Sequence, residues 1–346
     1  MTTLDIVVPC YNEEPVLHET LRRLGPLLTG LMASGKVSAS SAVVLVDDGS
    51  RDATWRIIEE LAAAHPFVRG LRLSRNRGHQ NALLAGLFAS KADAVVSVDA
   101  DLQDDLAAIE AMLDAHHAGN DVVLGVRKRR DTDTWFKKMT ATGYYRLLAA
   151  MGVEIVFNHA DYRLLSRRAL DALADYREVN LFLRGIVPQL GFPSAIVFYD
   201  RAERFAGESK YPLRKMLAFA WQGITSFSAM PLRFITTIGM LVSFASFGVT
   251  LWALYVALLT SRTVPGWAST VLPIYFLGGI QLLCIGIIGE YVAKIYMETK
   301  QRPRYFIQAT AGGSSRIEPA VTMGAAARAD SPPGALRIAS GSDPKA

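Results

Sequence analysis

Two long uncharged runs in the second half of the chain restrict its fold more than any other feature. Phe234–Leu259 is 26 residues without a charged side chain, and residues 263–289 are likewise uncharged, with Val271–Gly289 the densest part. As helices these reach about 39 Å and about 28 Å, against a hydrocarbon core of about 30 Å. Joined by a short Pro265-Gly266 turn, they suit a two-helix transmembrane hairpin better than a pair of core helices. Arg262 is the only charge between them; Arg214, Lys215 and Arg233 precede the pair, and Lys294, Lys300, Arg302 and Arg304 follow it. The positive-inside rule then sets both termini in the cytoplasm. The expectation is a multi-pass protein of the cell inner (plasma) membrane.

Ahead of residue 230 the pattern is different. Leu4–Val8, Ala42–Val46, Val68–Leu73, Ala94–Val98 and Asp121–Gly125 read as buried strands, and residues 14–33, 51–64, 79–90 and 105–118 as helices. Their alternation predicts right-handed βαβ units and a parallel sheet covered on both faces, an α/β fold. Ligands of such sheets bind beyond the carboxyl ends of the strands. The expected organisation is a catalytic domain over 1–210 and an interfacial amphipathic segment over 211–231. The membrane hairpin takes 232–297, and a largely disordered tail takes 298–346, its Ala, Gly, Ser and Pro richness beginning near 309. Gly279 and Gly286 share a helical face that permits close helix contact, as in a homo-oligomer.

The balance of 37 Lys+Arg against 32 Asp+Glu suits an anionic membrane surface and is too small to argue for nucleic acid. Cys10 and Cys284 sit in unlike contexts, so no disulfide is expected. MTTLDIVVPC has no basic region ahead of an apolar core, and no secretory signal is read from it.

Four strand ends carry polar clusters. In Val8-Pro9-Cys10-Tyr11-Asn12-Glu13-Glu14 the strand is expected to stop at Pro9, with Asn12 free to cap the next helix. In Val46-Asp47-Asp48-Gly49-Ser50 the adjacent carboxylates suit a ligand, although Asp48 or Ser50 also fits a helix cap. In Val98-Asp99-Ala100-Asp101-Leu102-Gln103 three oxygen-bearing side chains alternate, so an extended segment directs Asp99, Asp101 and Gln103 to one side. These are hard ligands for Mg²⁺ or Mn²⁺, held together with substrate phosphates. Arg127 ends a strand, where it suits a phosphate, whereas Lys128–Arg130 read as a basic surface. His65, His79, His116, His117 and His159 show no ligand spacing and read as surface or satisfied histidines. Neither a dinucleotide fingerprint nor a P-loop is present.

Taken in order, VVPCYNEE, VDDGSRDAT, LSRNRGHQNALLAGL, DADLQDD, DYRLLSRRAL and RFAGESKYPLRKM resemble family 2 glycosyltransferases with the GT-A fold. More closely, they resemble the polyprenyl-phosphate branch, GtrB-like and dolichol-phosphate-mannose-synthase-like, over roughly residues 3–305. The resemblance implies a Rossmann-like, mostly parallel catalytic domain and inverting transfer of one sugar from a nucleotide-sugar donor to polyprenyl phosphate at the bilayer surface. It implies that Pro9, Tyr11, Glu13 and Asp48 line the nucleoside pocket, that Asp99 reaches the donor, and that Asp101 and Gln103 hold the metal. Arg127 would hold the acceptor phosphate, and Arg204, Ser209 and Lys210 would close a loop over the phosphates. Asp161 falls at a position the family treats as functional. Glucose from UDP-glucose is the first expectation, with a GDP-mannose-dependent enzyme as the alternative. A processive polysaccharide synthase or an inactive membrane scaffold is a weaker alternative; Gln301-Arg302-Pro303-Arg304-Tyr305 only partly matches the synthase motif Gln-x-x-Arg-Trp and follows both spans.

Overall fold

A computed structural model of the chain describes residues 1–101, 103–127, 159–178, 183–200, 230–259 and 268–312. Lys128–Arg130, Arg204, Ser209, Lys210 and the expected interfacial segment up to residue 229 lie outside these residues, as does the tail from 313.

The N-terminal half alternates strand and helix as its pattern predicts: β1 (Leu4–Cys10), α1 (Leu17–Ala33), β2 (Ala42–Asp47), α2 (Thr54–Ala64), β3 (Val68–Leu73), α3 (His79–Ala89), β4 (Ala94–Ser97), α4 (Ala108–His117) and β5 (Val122–Arg127). Then come β6 (His159–Ser166), α5 (Arg167–Ala174), α6 (Leu183–Gln189) and β7 (Ser194–Tyr199). Two long helices, α7 (Met230–Leu259) and α8 (Ala268–Thr299), precede a last strand, β8 (Ile307–Ala311).

The eight strands form one sheet in the order β7-β5-β6-β4-β1-β2-β3-β8. It is mostly parallel, but β6 runs antiparallel to β4 and β5, and β8 antiparallel to β3. The parallel expectation therefore becomes a mixed sheet. Its hydrophobic core has two layers, one containing α1, α2 and α4, the other α3 and α5. In α3, Leu83, Leu84 and Leu87 are fully buried, each worth about 1.5–3 kcal/mol of burial. Gly86 permits that contact, since a Cβ there would meet Val7 and Val46 of the sheet at 2.4 and 2.8 Å.

Three sequence expectations need correction. First, β1 does not stop at Pro9; it continues to Cys10, opposite Asp47. Val7 O accepts from Val98 N and Cys10 O from Asp48 N, so Pro9 faces the β4 side beyond that strand's last paired residue. Its missing N–H is not required there. Second, Asn12 caps no helix. It adopts a left-handed φ of 55°, and α1 begins five residues later at Leu17 without a side-chain cap. Third, residues 307–311, assigned to the tail, are β8. The chain returns from α8 to the catalytic sheet and covers the β3 edge, which would otherwise expose unpaired backbone groups.

α7 has 30 residues and α8 has 32, and the two pack against each other. They carry many of the large exposed apolar side chains, among them Phe234, Phe244, Leu282 and Ile285. Among the described residues, one stretch, Leu277–Thr299, is long and apolar enough to cross a membrane.

Candidate active site

The polar clusters gather at the carboxyl ends of β1, β2, β4 and β5 and at the amino end of the antiparallel β6. On the β1–β2 side the loops are stitched by backbone amides. Asn12 N donates to Ser50 Oγ at 2.9 Å, Asn12 Oδ1 accepts from Arg51 N at 3.0 Å, and Glu13 N donates to Thr54 Oγ1 at 2.9 Å. Asp47 Oδ1 accepts from Ser50 N, closing the turn at Gly49. Asp48 is neither a helix cap nor fully open to a ligand: it accepts from Arg77 N at 2.7 Å and Gly78 N at 2.8 Å. Burial raises the Asp48 carboxyl above the usual range, and these two amides only partly oppose it. Pro9 is buried, whereas Tyr11 is 41% exposed at the mouth of a cleft of about 290 Å³.

On the β4–β6 side the charges crowd. The Asp99 carboxyl is pushed up to about 6, chiefly by burial, with the charges of Asp161, Asp104 and Asp101 adding and His79 opposing. His79 Nε2 lies 3.5 Å from Asp99 Oδ1 and 3.8 Å from Asp161 Oδ2. Asp101 Oδ1 accepts from the Gln103 backbone N–H at 3.2 Å, and Gln103 is buried. Asp104 Oδ1 accepts from the Tyr199 hydroxyl at 2.6 Å and from Arg127 Nη2 at 3.4 Å, while its Oδ2 is buried without a partner. Arg127 Nε in turn donates to the Tyr199 hydroxyl at 3.0 Å.

Asp161 is bracketed by two arginines. Arg163 is fully buried and donates to Asp161 Oδ1, and Arg184 Nη2 donates to Oδ2 at 3.1 Å. Burial alone would raise the Asp161 carboxyl, but the two guanidinium charges outweigh it and hold the group well below the usual carboxylate range.

The structure thus brings Asp99, Asp101, Gln103, Arg127 and Asp161 into one site and sets Pro9, Tyr11, Glu13 and Asp48 along its β1–β2 flank. Sequence reasoning missed His79, Asp104, Arg184 and Tyr199. Tyr199 ends Ser194–Tyr199, whose alternating burial marks a strand. His79 stands directly after the β3 turn, at a helix start facing the strand ends.

Among the described residues no three His, Cys, Asp or Glu side chains form a cage for a metal ion. The donors present do fit a Mg²⁺ or Mn²⁺ that completes its shell from water and substrate phosphates. Asp99 and Asp101 offer hard oxygens where carboxylates crowd one another, and the orphaned Asp104 Oδ2 lies in the same region.

The chain is similar in sequence to known proteins. The family described as glycosyl transferase family 2 matches residues 5–174. A solved glucosyl-3-phosphoglycerate synthase from Mycobacterium tuberculosis, in complex with Mn²⁺, uridine diphosphate and phosphoglyceric acid, is 22% identical with a TM-score of 0.42, covering 65% of this chain and 76% of its own. The bactoprenol glucosyl transferase of Shigella phage SfX is 39% identical over 309 residues, 88% of this chain and 98% of that protein. The uncharacterized glycosyltransferase YkoT of Bacillus subtilis (strain 168) is 50% identical over 306 residues, 88% of this chain and 90% of its own. A mostly parallel α/β sheet with its charged residues at the strand ends, and relatives this similar along nearly their whole length, make this chain a glycosyltransferase belonging to glycosyltransferase family 2.

Proposed function

We propose that the enzyme transfers a single glucose from UDP-glucose to polyprenyl phosphate, inverting the anomeric carbon. The observation that carries the reading is the juxtaposition of the acidic end of β4, at Asp99 and Asp101, with two arginines held from behind, Arg127 by Asp104 and Tyr199 and Arg184 by Asp161. One side suits a metal-bound diphosphate and the other a second phosphate. The bactoprenol glucosyl transferases to which the chain is similar support the same acceptor class.

A phosphate monoester has a second pKa near about 6 and is largely dianionic at pH 7, so its oxygen needs no base to become nucleophilic. In this reading that oxygen attacks C1 of the sugar from the face opposite the donor diphosphate; the new C1–O bond forms as the bond to the diphosphate breaks, and UDP departs. Arg127 fixes the attacking phosphate in line. Asp161, ion-paired on both oxygens, positions Arg184 and takes no proton. Asp99, Asp101 and Gln103 would hold a Mg²⁺ or Mn²⁺, which when bound offsets charge on the leaving diphosphate. Arg204, Ser209 and Lys210 would close over the phosphates. In the same reading α7 and α8 form the membrane hairpin that brings the lipid acceptor to the site, with both termini cytoplasmic.

The test is to incubate purified full-length protein with a panel of radiolabelled nucleotide sugars and undecaprenyl phosphate. UDP-glucose should give a lipid carrying one sugar, labile to mild acid. Polymer formation, or transfer from GDP-mannose alone, would replace this reading with one of its alternatives.

A further inference from the structure

β8 does more than close a sheet edge. It pairs with β3 so that Arg72 faces Ala309 and Leu73 faces Ile307, which leaves Gln308 as the extra residue of a β-bulge. Exposed and half-buried side chains alternate along β8, and Gln308 is one of the exposed ones. Here Gln308 lines the cleft of about 290 Å³ whose walls include Tyr11 after β1, Arg51 after β2, and Arg72, Arg75 and Asn76 at and beyond the end of β3. The cleft lies at the β1–β3 flank, about two strand spacings, or about 10 Å, from the β4 end that carries Asp99 and Asp101.

Some polar groups around the cleft are engaged or face a counter-charge. Asp48 holds the 77–78 loop through its two amides, Asn76 Oδ1 accepts from Gly78 N at 3.2 Å, and Arg72 Nε faces Asp47 Oδ2 at 3.3 Å. The Gln308 side chain is exposed and makes no hydrogen bond to another described residue. Its primary amide presents a donor and an acceptor side by side, which matches the adjacent C=O and N–H on a uracil edge. Tyr11 offers an exposed ring for the base to stack on.

We infer that Gln308, on the strand that returns to the catalytic sheet from α8, reads the base of the donor nucleotide in this cleft. The inference rests on the nucleotide-sugar reading above. It makes the donor pocket depend on a residue that follows both long helices, more than 200 positions after Asp99.

The experiment measures dissociation constants of UDP and of inorganic diphosphate, each with Mn²⁺, for the full-length protein, for Gln308→Ala and for Thr310→Ala. Thr310 is an exposed β8 neighbour that does not line the cleft. Because Gln308 is exposed, its replacement leaves the core intact, and unchanged melting temperatures verify this. Losing one or two hydrogen bonds to the base should weaken UDP binding by about 3–10-fold in Gln308→Ala, with diphosphate binding and Thr310→Ala unaffected. Unchanged UDP affinity, or an equal loss for diphosphate, overturns the inference. A wild type that binds GDP and not UDP ends the uridine reading instead, and the same comparison made with GDP then decides the role of Gln308.

Discussion

Arg184 Nη2 donates to Asp161 Oδ2 at 3.1 Å, on a carboxylate whose other oxygen the buried Arg163 already holds. Asp161 thus has more positive charge beside it than it needs. The surplus is a guanidinium fixed from behind, on the same side of the site as Arg127. Asp104 and Tyr199 treat Arg127 in the same way.

From this arrangement Asp161 should behave as a positioning residue. Its carboxyl is depressed in the folded protein, so it contributes stability that is complete above its ordinary value near about 3.9 and is lost as pH falls below that. Asp161→Asn leaves the buried Arg163 short of a counter-charge and should cost about 3 kcal/mol at neutral pH. Profiles of kcat/KM against pH should keep the wild-type alkaline side in this variant. Disappearance of a basic limb present in wild type would make Asp161 a general base.

Tyr199→Phe removes the hydroxyl that bridges Arg127 and Asp104. The expected result is a stability loss of about 1–3 kcal/mol, because Asp104 loses its shortest hydrogen bond in a buried setting. The acceptor KM should rise while the donor KM holds, since Arg127 loses its aim and Asp99 does not. Equal rises in both constants would refute the separation of the two sides.

Gly49 has φ +68°, and a Cβ there would come within 2.6 Å of the Arg75 backbone. Gly49→Ala should therefore destabilise the fold by about 2–4 kcal/mol, combining left-handed strain with a clash against an unyielding partner. Thermal unfolding measures this directly, with Gly30→Ala as the control, where a Cβ meets nothing within 4 Å.

Metal dependence follows from the carboxylates at the end of β4. Transfer should stop in excess EDTA and return with Mg²⁺ or Mn²⁺, and Asp101→Asn should slow it by at least ~10²-fold. Full activity without divalent metal would remove Asp99, Asp101 and Gln103 from that role.

Much of this was legible in the residues. Apolar runs ending in polar clusters located β1 to β5 within a few residues, because buried parallel strands tolerate no polar interior. Asp99, Asp101 and Arg127 stood out because the strand ends are where such sheets bind ligands. What escaped depended on tertiary pairing. The antiparallel β6 and the parallel edge strand β7 lie far in sequence from their partners, and β8 is a five-residue strand stabilised by the β3 edge rather than by its own composition. His79, Arg184 and Tyr199 become site residues only once three separate elements converge on Asp99, Asp161 and Asp104. Asn12 misled for a related reason: its side chain serves a loop 39 residues away in sequence rather than the adjacent helix.

The most direct measurement of the proposed chemistry is the acceptor dependence of transfer by wild type and by Arg127→Ala, followed as radiolabelled sugar entering undecaprenyl phosphate from UDP-glucose. Wild type should form a one-sugar phosphodiester lipid. Arg127→Ala should show a raised acceptor KM and a kcat lowered by at least ~10-fold, with UDP binding unchanged. Wild-type protein that forms no sugar-linked lipid from any nucleotide sugar, or an Arg127→Ala enzyme with unaltered acceptor KM and kcat, would contradict it.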